Sequence, residues 1–297
     1  MANAPATLTQ REEQILQAVY RYRYLTLLQV TRLFFSVHSR NYAGACLKRL
    51  TEEQWLTRFC LPSTQKGNHT FVYQLGKRGR KHLASLGFDL TAHPASTTPP
   101  PSYQHLRHSL LVNDVLIAAT VLPTLEPQIE LHDLQTEWLL KKSFPRFSAT
   151  QIDGQNKPPA ITVIPDGWLT FRLLVGGQKV QVSTWVEIDC GTEEQKQFQR
   201  KVHGLYTIAT SALLKEALGV KEVTFAIATS AGEKRHHQLL HWCEQELRRL
   251  HATQDADLFL FTLLPRESID PVQLFLSPVW LLPFGQGAVP LVDVSEG

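Results

Sequence analysis

The chain has 297 residues, of which 43% are apolar, 19% charged and 9% aromatic; this composition excludes a largely disordered or fibrous protein, and the length predicts about two domains at roughly 150 residues each. The net charge of +3 conceals a partition, because residues 1–93 carry 13 Lys and Arg against 5 Asp and Glu, while the remainder carries 17 against 22. A basic module of that size fits a polyanion, and nucleic acid is the first candidate.

Thr9 followed by Glu12 has capping-box spacing, and Ile15, Leu16, Val19 and Tyr20 recur with helical period, which predicts a first helix. Thr26 and Gln29 repeat the device before Leu27, Leu28, Val30 and Leu33. Ser39 is suited to capping a third helix running to about Leu50, with Ala43, Cys46, Leu47 and Leu50 facing inward. Trp55 to Cys60 and Thr70 to Leu75 read as strands around the turn-rich stretch at 64–68, and a basic helix follows from Lys77 to Leu86. Three helices and a two-stranded wing make the order of a winged helix-turn-helix. Arg40, Asn41, Lys48 and Arg49 on the third helix are donors suited to phosphates and base edges in a major groove. Lys66, Asn68 and His69 at the wing tip, with Lys77 and Arg78 on the next helix, add to the DNA-binding set. The competing reading of the same residues is a solvated basic surface on a protein-interaction winged helix.

A Pro/Ser/Thr segment at 92–103 cannot hold a helix or a central strand and reads as a linker. The expected organisation is therefore a winged helix over 1–91, the linker, and an α/β domain with a C-terminal tail over 104–297. In that domain His105 to Val121 reads as a helix, Ile129 to Leu140 as a strand or pair of strands, and Ile161 to Leu174 as a strand. Gly176-Gly177 turns the chain into a partner strand, Lys179 to Asp189. Thr192 with Gln195 opens a helix ending near Leu218; Glu222 to Ala228, Glu233 to His251 and Asp257 to Leu263 then read as strand, helix and strand. The class is α/β (α+β overall), with a mixed sheet.

If Gly176-Gly177 is a two-residue loop, Asp166 stands opposite Glu187, and Asp189 shares the face of Glu187 because side chains alternate with period two. Like charges so placed are destabilising unless neutralised, and a carboxylate cluster suits Mg²⁺. The same residues allow a structural reading, in which Asp166 holds a turn after Pro165 and Glu187 pairs with Lys196 or Arg200.

Pro165-Asp166 followed by Glu187-Ile188-Asp189 after a hairpin resembles the PD-(D/E)XK nuclease-like motif. More narrowly, Glu187 to Glu193 (EIDCGTE) with Lys201 and Tyr206 resembles the replication-relaxation family of plasmids and other mobile elements. The opening from Leu8 to Leu16, then Tyr24-Leu25-Thr26 with Gln29, and His108 to Asp114 are similar as well. The resemblance implies a winged helix joined to a PD-(D/E)XK-like domain, with Asp166, Glu187 and Asp189 as metal ligands and, with Lys201, as catalytic residues, and Mg²⁺ as cofactor. One position departs: the nuclease motif ends in Lys, and residue 189 is Asp. The lysine can move to a neighbouring helix, and Lys201 is the candidate, although it lies about 13 Å along the helix from Thr192. Lys196 is nearer the strand end.

Other constellations carry less. His236, His237 and His241 share a helix, but Gln238 stands where a metalloprotease needs Glu, and a solvated face is expected. Leu239 and Trp242 read as core. Gly76-Lys77-Arg78-Gly79 lacks the spacing of a phosphate loop, and no Gly-x-Ser-x-Gly elbow occurs. Cys46, Cys60, Cys190 and Cys243 form no Cys-x-x-Cys pair, which argues for reduced thiols in a cytoplasm. Neither a secretory leader nor an apolar run of ~18 residues is seen. The expectation is a cytoplasmic DNA-binding protein of a mobile element whose partner is double-stranded DNA, with other proteins of that element and a second copy of the chain left open, and no membrane. The alternative is a Mg²⁺-dependent endonuclease or nickase.

Overall fold

The computed structural model describes residues 7–61, 70–91, 93, 101–143, 164–211, 219–220, 222–265, 267–285 and 287–294. The chain divides into two compact units, Met1–Ile117 and Ala118–Gly297.

In the first unit the capping boxes place the helices. Thr9 and Glu12 open α1 (Gln10–Tyr22), and Thr26 and Gln29 open α2 (Leu27–Phe34), each with both reciprocal bonds formed. α3 (Arg40–Glu52) follows a 3-10 turn; its Ser39 cap makes no bond to the helix, since its hydroxyl lies 2.8 Å from that of Ser36. The two-residue β1 (Leu25–Thr26) joins β2 (Leu56–Leu61) and β3 (Thr70–Leu75) in a sheet of order β1-β3-β2. α4 (Lys77–Ser85) closes the set, and it approaches the chain before β2 so closely that a Cβ on Gly79 would stand 2.3 Å from the Trp55 carbonyl oxygen. Three helices followed by a strand pair are compatible with a winged helix. The wing tip, with Lys66, Asn68 and His69, lies outside the described residues.

α5 (Tyr103–Leu125) begins in this unit and is longer than expected. Its start packs Leu106 and Leu110 against Tyr24 and Val72. The Asn113 amide donates to the carbonyls of Tyr22 (3.1 Å) and Tyr24 (2.7 Å), while Gln29 donates to the Leu110 carbonyl and to Asp114. Contrary to the expectation of no spanning run, an 18-residue window of α5 has mean hydropathy 1.4, enough in length and composition to cross a bilayer. Half of that window is buried inside the protein.

Among the described residues of the second unit a seven-stranded mixed sheet has the order β10-β9-β8-β7-β6-β5-β4. β4 (Ile129–Thr136) is a single strand; the expected second half is instead α6 (Glu137–Ser143), whose Leu and Lys residues favour helix and whose Glu137 pairs with Lys141 one turn on. β5 (Gly167–Val175) and β6 (Gln178–Asp189) form the hairpin in the expected register, from Val175↔Gln178 to Gly167↔Val186. Gly176 and Gly177 have φ of +54° and +79°, the left-handed pair that a two-residue loop needs. β6, β7 (Thr224–Thr229) and β8 (Phe259–Leu263) are parallel, joined by α7 (Gln195–Thr210) and α8 (Glu233–Arg249). Phe198, Val202 and Leu205 of α7 and Leu239, Cys243 and Leu247 of α8 bury one sheet face against Trp168, Trp185, Phe225 and Phe261. The tail after Pro265 joins the fold: α9 (Pro271–Leu276) brings Phe275 to 5.4 Å from Phe171. β9 (Trp280–Leu281) then pairs with β8, and β10 (Ala288–Val289) with β9.

Candidate functional site

The first unit sorts its basic residues. Arg40, Asn41 and Lys48 point outward from α3, as does Lys77 from the start of α4; the Lys48 side chain is 70% exposed and lies 3.8 Å from Glu52. Gly44 and Ala45 lie between Asn41 and Lys48 on the helix, so nothing bulky stands between the two donors. Arg49 is half-exposed and spends its donors on acidic neighbours instead. Its Nε donates to Glu12 at 2.9 Å, its Nη2 also meets that carboxylate, and its Nη1 lies 3.4 Å from Glu53. Burial opposes ionisation of Glu12, but hydrogen bonds from Arg49 and Thr9 outweigh it and hold the carboxyl below its ordinary value. Burial, with Glu12 alongside, pushes the neighbouring Cys46 thiol up to about 11. Arg78 lies 4.2 Å from the centre of the Trp55 ring and donates to the Glu53 carbonyl at 3.1 Å. Arg49 and Arg78 therefore hold the fold together, and the outward donors are Arg40, Asn41, Lys48 and Lys77. Arg58 on β2, exposed and stacked 4.4 Å from the Phe71 ring, joins them without having been singled out from the sequence.

The second unit brings Asp166, Glu187 and Lys201 together. Asp166 lies just before β5, where its N–H donates to the Val186 carbonyl at 3.1 Å and its carboxylate accepts from the Ile188 N–H at 2.8 Å. Glu187, only 5% exposed, accepts from the Trp185 indole at 2.7 Å and from Lys201 Nζ at 3.0 Å. Burial raises the Glu187 carboxyl to about 7; Lys201 opposes the shift and Asp166 reinforces it. Lys201 is itself held well above its ordinary value: burial would lower it, but Glu187, Glu193 and Asp166 outweigh burial. The pairing of Glu187 is thus with Lys201, not with Lys196 or Arg200. Distance along the helix misleads because α7 runs back over the sheet after the turn, returning a residue two turns in to the level of Glu187.

Asp189 shares the face of Glu187, as alternation requires, but not its partners. Arg235 Nε and Nη2 donate to its two oxygens at 3.0 and 2.7 Å, the Thr229 hydroxyl adds a bond of 2.9 Å and the Gly191 N–H one of 3.0 Å. With four donors on it, Asp189 is not gathered with Asp166 and Glu187 as a third ligand. Among the described residues no three His, Cys, Asp or Glu side chains group so as to hold a metal ion. Glu193, which accepts from Lys201 at 3.1 Å, and Arg235 are the participants that the residue pattern did not assign. Glu193 stood inside the EIDCGTE stretch, whereas nothing near Arg235 in sequence marks it. Of the three histidines on α8, His237 and His241 are solvated as expected, but His236 is buried, with burial lowering its basicity.

A family model described as replication-relaxation matches residues 16–206, well over half of the chain. The chain belongs to the replication-relaxation family. The matched span runs from within α1 to within α7, so it includes α3, the β5–β6 hairpin, Glu187, Asp189 and Lys201, and it ends before Arg235. Membership of the replication-relaxation family points to a role in the replication of a plasmid or other mobile element. No curated protein and no solved structure matches the chain.

Proposed function

We propose that this replication-relaxation protein binds double-stranded DNA of a plasmid or other mobile element through a winged helix, and that the second unit is a nuclease-like module acting in replication or assembly. The observation that carries this reading is the outward row of Arg40, Asn41 and Lys48 on α3, with Lys77 exposed on α4, in a region with 13 basic and 5 acidic residues. A helix with donors at its exposed start and small residues behind them suits entry into a major groove, while the longer cations suit flanking phosphates. Each phosphate neutralised releases counterions, so three such contacts, from Arg40, Lys48 and Lys77, give a log–log salt slope of about −2.7. Titrating a labelled duplex between low and moderate salt measures that slope. A flat response, or no binding at any salt, removes the DNA-binding reading.

The contact of Lys201 with Glu187 favours a second reading, Mg²⁺-dependent cleavage by a PD-(D/E)XK-like site. Asp166 and Glu187 are the residues that would hold the ion, a number of carboxylates that suits Mg²⁺, while Asp189 is committed to Arg235. The bound ion would supply charge to offset that of a scissile phosphate. Lys201, held positively charged against Glu187, would serve for the lysine that the motif puts two residues further along the strand. Supercoiled plasmid incubated with protein and Mg²⁺, beside Asp166→Ala, tests this reading. Plasmid left intact by the unsubstituted protein discards cleavage and leaves the binding module.

A further inference from the structure

Asp189 occupies the position where the nuclease-like motif has lysine, and its surroundings show what it does instead. Arg235, in the first turn of α8, works through its Nε and Nη2 edge. Its fork holds the Asp189 carboxylate, and Nη2 also donates to the Glu193 backbone carbonyl at 2.7 Å. The guanidinium lies 4.9 Å from the Trp242 ring, so its plane is supported from one side. Asp189 is fixed in turn by Thr229 and Gly191. The turns after β6 and β7 touch: Gly191 has φ +86°, and a Cβ there would stand 2.9 Å from the Ala231 Cβ. This base carries Glu193, whose carboxylate meets Lys201 at 3.1 Å beside the 3.0 Å contact of Glu187.

We propose that Arg235 is the positioning residue of the acidic site: by clamping Asp189 to the Glu193 carbonyl it holds the turn between β6 and α7 so that Glu193 and Glu187 share the Lys201 ammonium. A lysine on a flexible four-carbon stem loses considerable rotamer freedom when it is held, and a single partner leaves it free to swing. Two fixed acceptors at 3.0 and 3.1 Å define one place for it. The Asp189–Arg235 pair is thus what allows the amine to come from α7 rather than from residue 189. This inference depends on neither DNA binding nor cleavage.

The test is a brief pulse of an amine-acylating reagent on the full chain, followed by peptide mass spectrometry, with the exposed Lys196 in the first turn of α7 as internal reference. Lys201 in the unsubstituted protein should react far more slowly than Lys196. Arg235→Gln should raise the Lys201 rate relative to Lys196 by about tenfold, the factor that goes with one lost charge-assisted hydrogen bond. Arg235→Lys, which can reach Asp189 but lacks the fork to hold the Glu193 carbonyl as well, should recover only part of the protection. Glu193→Ala keeps the backbone clamp and removes the second acceptor, so it should also speed Lys201, and it provides the test should Arg235→Gln not fold. Unchanged Lys201 reactivity in Glu193→Ala or in folded Arg235→Gln, or full recovery in Arg235→Lys, would overturn the proposal.

Discussion

Lys201→Met removes the cation from a carboxylate that is 5% exposed and leaves Glu187 beside Asp166 and Glu193. At the observed 3.0 Å and an effective dielectric of ~20, the pair attracts by about 5 kcal/mol, partly offset by the desolvation of both groups. Breaking such a pair from one side costs about 3 to 5 kcal/mol when the remaining charge cannot reach water. The cost depends on pH in a definite direction. The Glu187 carboxyl already titrates near 7 with Lys201 present, above its ordinary 4.5, so the folded state holds a proton that the unfolded chain releases, and stability falls as pH rises through that window. Without Lys201 the window extends upward. The variant should therefore lose about 3 to 5 kcal/mol at pH 8 and less than about half of that at pH 5, where the carboxyl stays neutral. Urea unfolding followed by tryptophan fluorescence measures this, because Trp138, Trp168, Trp185, Trp242 and Trp280 all belong to the second unit. Glu187→Gln combined with Lys201→Met should recover much of the loss. An equal loss at both pH values, or strict additivity of the two substitutions, would refute the reasoning.

Gly79→Ala should destabilise the first unit by about 1 to 3 kcal/mol through the clash with the Trp55 carbonyl. Gly44→Ala, whose new methyl group meets only Leu27 at 3.9 Å, should be neutral or stabilising by up to about 1 kcal/mol, and thermal melts compare the two. Lys48→Ala should weaken duplex binding and reduce the salt slope by about 1 with little effect on folding. Arg49→Ala should do the reverse, lowering the melting temperature by leaving Glu12 buried without its main partner; a change of slope for Arg49→Ala would contradict its pairing with Glu12. Burial opposes ionisation of Glu246, yet Arg249 and His203 outweigh it and lower the carboxyl to about 2. Its contribution is complete above the ordinary 4.5 and lost as pH falls towards 2. Glu246→Gln should therefore cost about 2 to 3 kcal/mol near neutrality and little at pH 2.5, as seen by urea unfolding at each pH.

Local chemistry was legible in the residues alone. The Thr9–Glu12 and Thr26–Gln29 boxes need only their own turn of chain, and Gly176-Gly177 fixes the β5–β6 register because a two-residue loop admits one alignment. That register runs to Gly167↔Val186 and so delivers Asp166 to the stretch of β6 that holds Glu187, although the ladder itself stops one residue short of Asp166. The charge partition was legible too, since it is a sum. What folded back from elsewhere was not: whether Arg49 faces solvent or Glu12 depends on how α3 lies on α1, and residues 34 apart or more carry no sequence signal of meeting. Lys201 looked remote because helix length was measured outward from the strand, whereas packing Phe198, Val202 and Leu205 onto the sheet turns α7 back across it. Arg235 is the extreme case, 46 residues from Asp189 and brought to it by the parallel crossover from β6 through α7 to β7. Sequence set most of the elements and the hairpin; burial of the two helical faces against one sheet decided which charges became neighbours.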